Sequence, residues 1–376
     1  MKAPRVIGGV CLTVNPKGCM ASVRRWINEE RGRPPLLSGP KSVLVLGCSG
    51  GYGLAARVVA AFGAGAQTLG VSFERPPTLK RRATPGWYNN LAFDAAAAEA
   101  ELFSETLVAD AFLDETRQAV IDRARERGIP HFDLVIYSLA APQRTDPVTG
   151  VTHRSAIKPI GQPLSGQTMD VASGVLSDVT LTPATPEEIE GTVKVMGGED
   201  WLLWARALKE AGLLADGVRM VALSYIGPSS TYAIYRSGTL GRAKEHLEST
   251  ADEISRLLAP LNGRAQVSVQ KALITRASSV IPIMSVYVCA MYRVMKAKGV
   301  HEGCLEQMDR LFRERLYAGG EVPVDEAGRI RLDDWELRAD VQAEIEAILA
   351  RVTPDNLAEL GDTEGCRREL MALYGF

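Results

Sequence analysis

Three tyrosines and a lysine fall within residues 225–244, read Tyr-Ile-Gly-Pro-Ser-Ser-Thr-Tyr-Ala-Ile-Tyr-Arg-Ser-Gly-Thr-Leu-Gly-Arg-Ala-Lys. A phenol is a weak acid with a pKa of about 10, and a nearby ammonium favours its ionised form. Tyr235 and Lys244 therefore have the makings of a proton-donating pair, with Tyr225 as a second hydroxyl. Nine steps of roughly 100° would leave Tyr235 and Lys244 on opposite faces of one continuous helix. If they cooperate, the helix must begin between them. Gly238 supplies that break, and Thr239 or Ser237 is the expected N-cap.

The helix can be phased. Leu240, Ala243, Leu247, Ile254 and Leu258 recur at 3.6-residue spacing, with Ala251 filling the gap. Lys244 shares their side rather than that of Arg242, Glu245 and Glu248. An inward ammonium is expensive without a partner, which marks it as a functional charge; the alternative is a lysine snorkelling from a partly buried face. The elements upstream decide between these.

The clearest of them starts at Lys41. Val43-Leu44-Val45-Leu46 is a continuous apolar run of the kind found in parallel strands buried on both faces. It leads into Gly47-Cys48-Ser49-Gly50-Gly51-Tyr52-Gly53, and then into a helical stretch over 54–62. Strand, glycine turn and helix together aim free backbone N–H groups at a pyrophosphate. Glycines also close such turns for structural reasons alone, so the next strand matters. Residues 68–73 end at Phe73-Glu74, near the separation at which dinucleotide-binding folds carry an acidic residue for the ribose hydroxyls. A carboxylate there repels a 2′-phosphate and favours NAD(H) over NADP(H), while Arg75 beside it pulls the other way. The other reading is a solvated strand-end glutamate.

Further strands are expected at 105–108, leading to Asp110-Ala111, and at 132–137, leading to Ser138-Leu139-Ala140. Asp110 is placed for an adenine edge, and the backbone of 138–140 borders the nicotinamide ribose. Helices are expected at 94–100, 116–127 and 201–211, and strands at 218–223 and 267–269. Lys271-Ala272-Leu273-Ile274-Thr275 then continues towards the cofactor side. This alternation predicts an α/β fold, a doubly wound parallel sheet of Rossmann type. Residues 1–40 form an N-terminal extension against it, including the apolar piece 6–10. Residues 144–190 form an inserted, hairpin-like segment covering a substrate site. Beyond 301 lie helical C-terminal additions: a helix over 302–316, a strand pair near 330–332 and two more helices, none with an evident chemical role. The whole is read as one elaborated domain, with its core at about 41–300.

Composition narrows the classes. The chain has 376 residues, 46% hydrophobic and 23% charged, which suits a soluble globular protein with a large core. A net charge of −2 gives no basic excess for nucleic acid, and no apolar run approaches the ~20 residues of a membrane span. Residues 1–19 lack the apolar core of a signal peptide. Six scattered cysteines and four distant histidines suggest neither a disulfide framework nor a metal site. A cytoplasmic, metal-free protein is expected.

With these pieces located, the chain resembles, end to end, the trans-2-enoyl-CoA/enoyl-ACP reductases of the FabV type, extended relatives of the short-chain dehydrogenases. The residues carrying the resemblance include Cys11-x-Thr13, Gly18-Cys19, the 47–53 turn, Phe73-Glu74, Tyr137-Ser138-Leu139-Ala140 and Ser224-Tyr225-Ile226-Gly227-Pro228. They continue with Tyr232-x2-Tyr235-Arg236-x-Gly238-Thr239, His301-Glu302-Gly303-Cys304 and Leu373-Tyr374-Gly375-Phe376. The Tyr-x8-Lys spacing is the specific mark, longer than the Tyr-x3-Lys of ordinary short-chain dehydrogenases.

The resemblance implies Tyr235 as proton donor, Lys244 on the nicotinamide ribose and Tyr225 as a substrate-binding residue. It implies NADH contacts at Gly47, Cys48, Ser49, Gly50, Gly51, Tyr52, Gly53, Phe73, Glu74, Asp110, Ala111, Ser138, Leu139, Ala140, Leu273, Ile274 and Thr275. The substrate would be an enoyl-CoA or enoyl-acyl-carrier-protein, the protein a monomer, and the reaction NADH-dependent reduction of a C2–C3 double bond. Gln143, Gln167, Ser229 and Ala233 depart from residues common in the family, which bears on the acyl carrier or acyl chain. Two other readings fit a tyrosine–lysine pair: a carbonyl (3-ketoacyl) reductase, and a non-catalytic NAD-binding protein.

Overall fold

A computed structural model describes residues 4–7 and 10–376; Gly8 and Gly9 of the first apolar piece, and Met1 at the start of the chain, lie outside the described residues. Seven strands make the central sheet: β1 Ser42–Leu46, β2 Gln67–Ser72, β3 Ser104–Val108, β4 Phe132–Tyr137, β5 Leu214–Ser224, β6 Arg264–Val269 and β7 Ile330–Arg331. All pair in parallel, in the order β3-β2-β1-β4-β5-β6-β7. Chain direction across the sheet reverses between β1 and β4, so their carboxyl ends open the crevice in which doubly wound folds bind ligands.

Burial explains the apolar run of β1. Val43 and Val45 enter the core on one face, and Leu44 and Leu46 the core on the other. Each is fully buried, worth about 1.5–3 kcal/mol per side chain. One charge is folded into this layer: Arg57 is wholly buried and donates to Thr68, Thr106, Ser104, the Glu105 carbonyl and Asp94, at 2.7–3.2 Å. It holds β2 and β3 to the helix that follows β1.

Several additions differ from the expectations. Residues 16–31 form a helix, Pro16–Arg31, that packs on the helix Pro85–Glu99; the latter starts nine residues earlier than the expected 94. The insertion is two antiparallel hairpins, Gln143–Thr145 with Thr152–Arg154 and Leu164–Met169 with Leu176–Leu181, followed by the helix Pro186–Met196. That helix starts on a capping box, Thr185 with Glu188, a signal legible as Thr-Pro-Glu-Glu. The expected helix over 302–316 is Cys304–Arg310, widening into a π-type turn over Leu311–Leu316. The expected strand pair near 330 is a single strand, because β7 finds its partner in the edge of β6. Three helices follow it rather than two: Ala339–Leu349, Leu357–Leu360 and Thr363–Ala372. Both ends of the chain meet where Asn15 donates its side-chain amide to the Gly375 carbonyl and its backbone N–H to Tyr374.

Candidate active site

The glycine turn shapes a cradle. Gly47 sits at φ +89°, and a Cβ there would lie 2.3 Å from the Ser138 carbonyl, so only glycine lets β1 and β4 end side by side. Above Gly50 there is open space, with no atom within 4 Å of where a Cβ would be. The helix Gly51–Val58 starts there without a side-chain cap, so its first N–H groups face that space. Glu74, at the end of β2, is buried; its Oε1 accepts from Ser49 at 2.7 Å and Arg276 at 2.8 Å, while Oε2 has no partner. An open seat over a helix N-terminus and an orphaned carboxylate oxygen fit a pyrophosphate and a ribose diol. The residues present therefore fit NAD(H).

The other expected contacts divide. Phe73 is 79% exposed, an apolar face at the rim beside Glu74. Thr275 meets the turn, its methyl 3.7 Å from the Cβ position of Gly51. Leu139 and Ala140 lie at the open end of β4, while the Ser138 N–H is bonded to Leu46. Asp110 keeps one carboxylate oxygen on the Phe112 N–H at 3.0 Å. Ala111 is buried and its carbonyl accepts from Trp204, so its position is set by packing. The Cys48 thiol is also buried, which pushes its pKa up to about 11. The Tyr52 hydroxyl donates to the Lys271 carbonyl at 2.6 Å, pinning the turn to the segment after β6. Leu273 and Ile274 are buried; the Ile274 N–H donates to Tyr292, and the Leu273 carbonyl accepts from Ser278.

Past β5 the chain makes one short helical turn, Tyr232–Tyr235, and then restarts as Thr239–Leu258. Gly238 is the N-cap, so the break falls where the spacing requires it, and Thr239 is the first helical residue. The Thr239 hydroxyl donates to the Ala156 carbonyl at 2.5 Å and accepts from the Lys158 N–H, fastening the insertion to this corner. Gly241 permits the tight restart, since a Cβ there would lie 1.9 Å from the Arg236 carbonyl.

Tyr225 and Tyr235 meet edge to face, ring centres 4.7 Å apart and planes at 87°. Tyr235 is 6% exposed, and among the described residues no group hydrogen-bonds its hydroxyl. Burial, and then Glu336, push its pKa well above the phenol range. Lys244 is half-buried with no ion-pair partner among the described residues, and burial lowers it to about 8 against the pull of Glu248. In the protein alone, burial and the Glu336 carboxylate govern the Tyr235 hydroxyl, and Lys244 is not among the groups acting on it.

The tail is not chemically silent either. Glu336, wholly buried, accepts from the hydroxyls of Tyr225 at 2.8 Å and Tyr287 at 2.7 Å on Oε1, and from the Ala272 N–H at 2.7 Å on Oε2. Lys271, also buried, donates to the Ala272 carbonyl at 3.1 Å. Sequence reasoning missed Glu336, Tyr287 and Lys271. Asp333-Asp334-Trp335-Glu336 reads as a solvated acidic run, and no motif signals its return to β5. Tyr287 also walls a cavity of about 250 Å³, mainly apolar, together with Leu164, Gln167, Ala233, Ile234 and Val352. Two of the four departing positions, Gln167 and Ala233, therefore share one cavity.

A parallel sheet with a glycine cradle, a buried acidic residue past its second strand and a buried tyrosine beside a lysine-bearing helix defines the class of dinucleotide-binding reductases. Family models sharpen this. The trans-2-enoyl-CoA reductase catalytic region matches residues 81–317, the NAD(P)H binding domain of trans-2-enoyl-CoA reductase matches 1–79, and an enoyl reductase FAD binding domain matches 324–376. The chain is 50% identical over 373 residues to the enoyl-[acyl-carrier-protein] reductase [NADH] of Flavobacterium johnsoniae, covering 99% of this chain and 94% of that one. It superposes on the Treponema denticola trans-2-enoyl-CoA reductase in complex with NAD with a TM-score of 0.96, at 48% identity, over 100% of this chain and 95% of the other. The Clostridium acetobutulicum trans-2-enoyl-CoA reductase in complex with NADH gives 0.97 at 42% identity, over 100% and 94%. The chain belongs to the trans-2-enoyl-CoA reductase family.

The 324–376 segment shows no strand–glycine-turn–helix among its described residues. No helix of the described residues is long and apolar enough to cross a membrane, and no cluster of metal-ligating side chains is found among them.

Proposed function

We propose that the protein reduces the C2–C3 double bond of a trans-2-enoyl thioester, carried on coenzyme A or acyl carrier protein, to the saturated acyl thioester using NADH. The observation that carries this is the edge-to-face pair Tyr225 and Tyr235, with Ile234 next to one and Tyr287, which shares Glu336 with the other, in the wall of an apolar cavity. Residues 47–53, Glu74 and Thr275 hold the dinucleotide, with Lys244 on the nicotinamide ribose. Bound NADH supplies the hydride that adds to C3.

The chain's own groups handle the charge and the proton. As C3 is reduced, negative charge gathers on the thioester oxygen, where a fixed hydroxyl lowers the barrier because its orientation is prepaid. Tyr225 is that hydroxyl. Tyr235 delivers the proton to C2; its raised pKa keeps the phenol protonated at neutral pH, and an ammonium reaching it through the ribose would ease its release. The cavity shelters the acyl chain from water.

The test is NADH oxidation, followed spectrophotometrically, with crotonyl-CoA, longer enoyl-CoAs and enoyl-acyl-carrier protein, in parallel with NADPH. Turnover on enoyl thioesters with NADH is expected. Oxidation with acetoacetyl-CoA but not crotonyl-CoA would replace this reading by carbonyl reduction, and NADH binding without turnover on any of them would leave a non-catalytic protein.

A further inference from the structure

We propose that Glu336, supplied by the C-terminal extension, is the positioning residue for Tyr225, and that it serves in its protonated form. The proposal rests on the reading of Tyr225 as donor to the thioester oxygen.

A phenol carries one proton. With Glu336 ionised, Oε1 accepts from Tyr225 and Tyr287, and Oε2 from the Ala272 N–H. In that arrangement Tyr225 has spent its only proton on the floor of the site and presents lone pairs to a substrate. A full negative charge would also lie directly behind the oxygen on which negative charge must develop, opposing it. A proton on Oε1 reverses both effects. The carboxyl then donates to Tyr225, the Tyr225 proton is released for a substrate, and Oε2 still accepts from Ala272. Tyr287 keeps a second partner in the Gln342 amide, which donates to it at 3.1 Å.

The surroundings supply the balance such a group needs. Tyr225 faces Glu336 from the end of β5, Tyr287 from the helix Met284–Ala297, and Tyr235 from across the Tyr225 ring. Lys271 faces it from the segment after β6, through the Ala272 carbonyl. Burial raises the Glu336 pKa and is the largest influence on it; the Lys271 ammonium is the main group opposing. Burial also lowers Lys271 to about 8, which weakens that opposition as pH rises.

The experiment compares Glu336→Gln and Glu336→Ala, each alone and with Tyr225→Phe, by steady-state kinetics, with NADH titration to confirm folding. Glutamine can turn its amide nitrogen to Tyr225 and its oxygen to Ala272, copying the protonated acid; alanine can do neither. The alanine form is expected to lose on the order of tenfold or more in kcat, the worth of an oriented transition-state hydrogen bond, with the KM for NADH within about twofold of wild type. The glutamine form is expected to recover most of that loss. In the Tyr225→Phe background, Glu336→Ala should change kcat by less than about twofold, because the residue it acts through is gone. A glutamine form as slow as the alanine form would overturn the protonated role. An alanine loss of equal size with and without Tyr225 would overturn the positioning role. Tyr225→Phe alone turning over at the wild-type rate would instead remove the donor reading beneath it. If the alanine form does not fold, Glu336→Asp, which withdraws the carboxyl by one methylene, takes its place with the same expectations.

Discussion

Glu74 and Arg276 form an ion pair at 2.8 Å although 202 positions separate them. The pair joins the end of β2 to the segment after β6, so the Glu74 carboxylate is held by the same stretch that brings Thr275 against the glycine turn. Its second oxygen is left free. We propose that this oxygen accepts from the adenosine ribose hydroxyls and repels a 2′-phosphate, with the Arg276 guanidinium held beside it.

Glu74→Ser should therefore relax cofactor choice. Removing the carboxylate takes away both the diol acceptor and the repulsion, and frees Arg276 to pair with a 2′-phosphate. The kcat/KM ratio of NADH to NADPH is expected to fall by about tenfold or more, the worth of one charge-assisted hydrogen bond. Parallel assays with the two cofactors measure it; an unchanged ratio would mean that Glu74 does not read the ribose.

Tyr235→Phe removes a buried phenol that no group among the described residues hydrogen-bonds. General acid catalysis typically contributes about 10²–10⁴-fold, so kcat should drop by at least about a hundredfold while NADH binding stays near wild type. Retention of most of the rate would move the acid elsewhere.

Lys244 gives a prediction on stability and pH. Its pKa is near 8 in the folded chain and 10.5 otherwise, lowered mainly by burial. Below about pH 8 the ammonium is charged in both states, and the folded state bears the whole desolvation cost. Between about 8 and 10.5 the unfolded chain binds more protons, so stability from this group rises with pH. Lys244→Met should then melt higher than wild type at pH 7, with the gap closing towards pH 10.5. A gap independent of pH would show that the ammonium is not desolvated. The same variant should also need more NADH for half-maximal rate.

Ala233 lines the cavity of about 250 Å³ that Ile234 and Tyr287 also wall. Ala233→Leu adds three carbons to its wall, and one methylene in an apolar pocket is worth about 1–3 kcal/mol of discrimination. Long enoyl-CoAs should lose about tenfold or more in kcat/KM relative to crotonyl-CoA. An equal loss across chain lengths would place the acyl chain outside this cavity.

Arg57 tests the sheet itself. Arg57→Met leaves Asp94, 31% exposed, with only the Ser104 and Thr106 hydroxyls as partners and takes the donor from the buried Thr68 hydroxyl and the Glu105 carbonyl, which destabilises the sheet. Urea unfolding should show a lower midpoint with the slope unchanged.

Local chemistry fixed much of this protein in advance. The apolar run of β1, the glycines after it and the acid ending β2 are legible because strand, turn and helix preferences act within a few residues. The break at Gly238 is legible because helical geometry forbids cooperation over nine continuous steps. The hairpin character of the insertion also follows from local turn residues. The helix Pro16–Arg31 escaped because its apolar positions make sense only against the helix Pro85–Glu99. Strand β7 was misassigned because its partner, β6, is about sixty residues away. Glu336 escaped for the strongest reason. A carboxylate in an acidic run looks solvated until the fold carries it beneath Tyr225 and Tyr287, and no spacing rule links positions 225, 287 and 336. The residue types that could act were present in the sequence; which hydroxyl gives its proton to which oxygen was decided by tertiary packing, since burial sets both the partner and the charge.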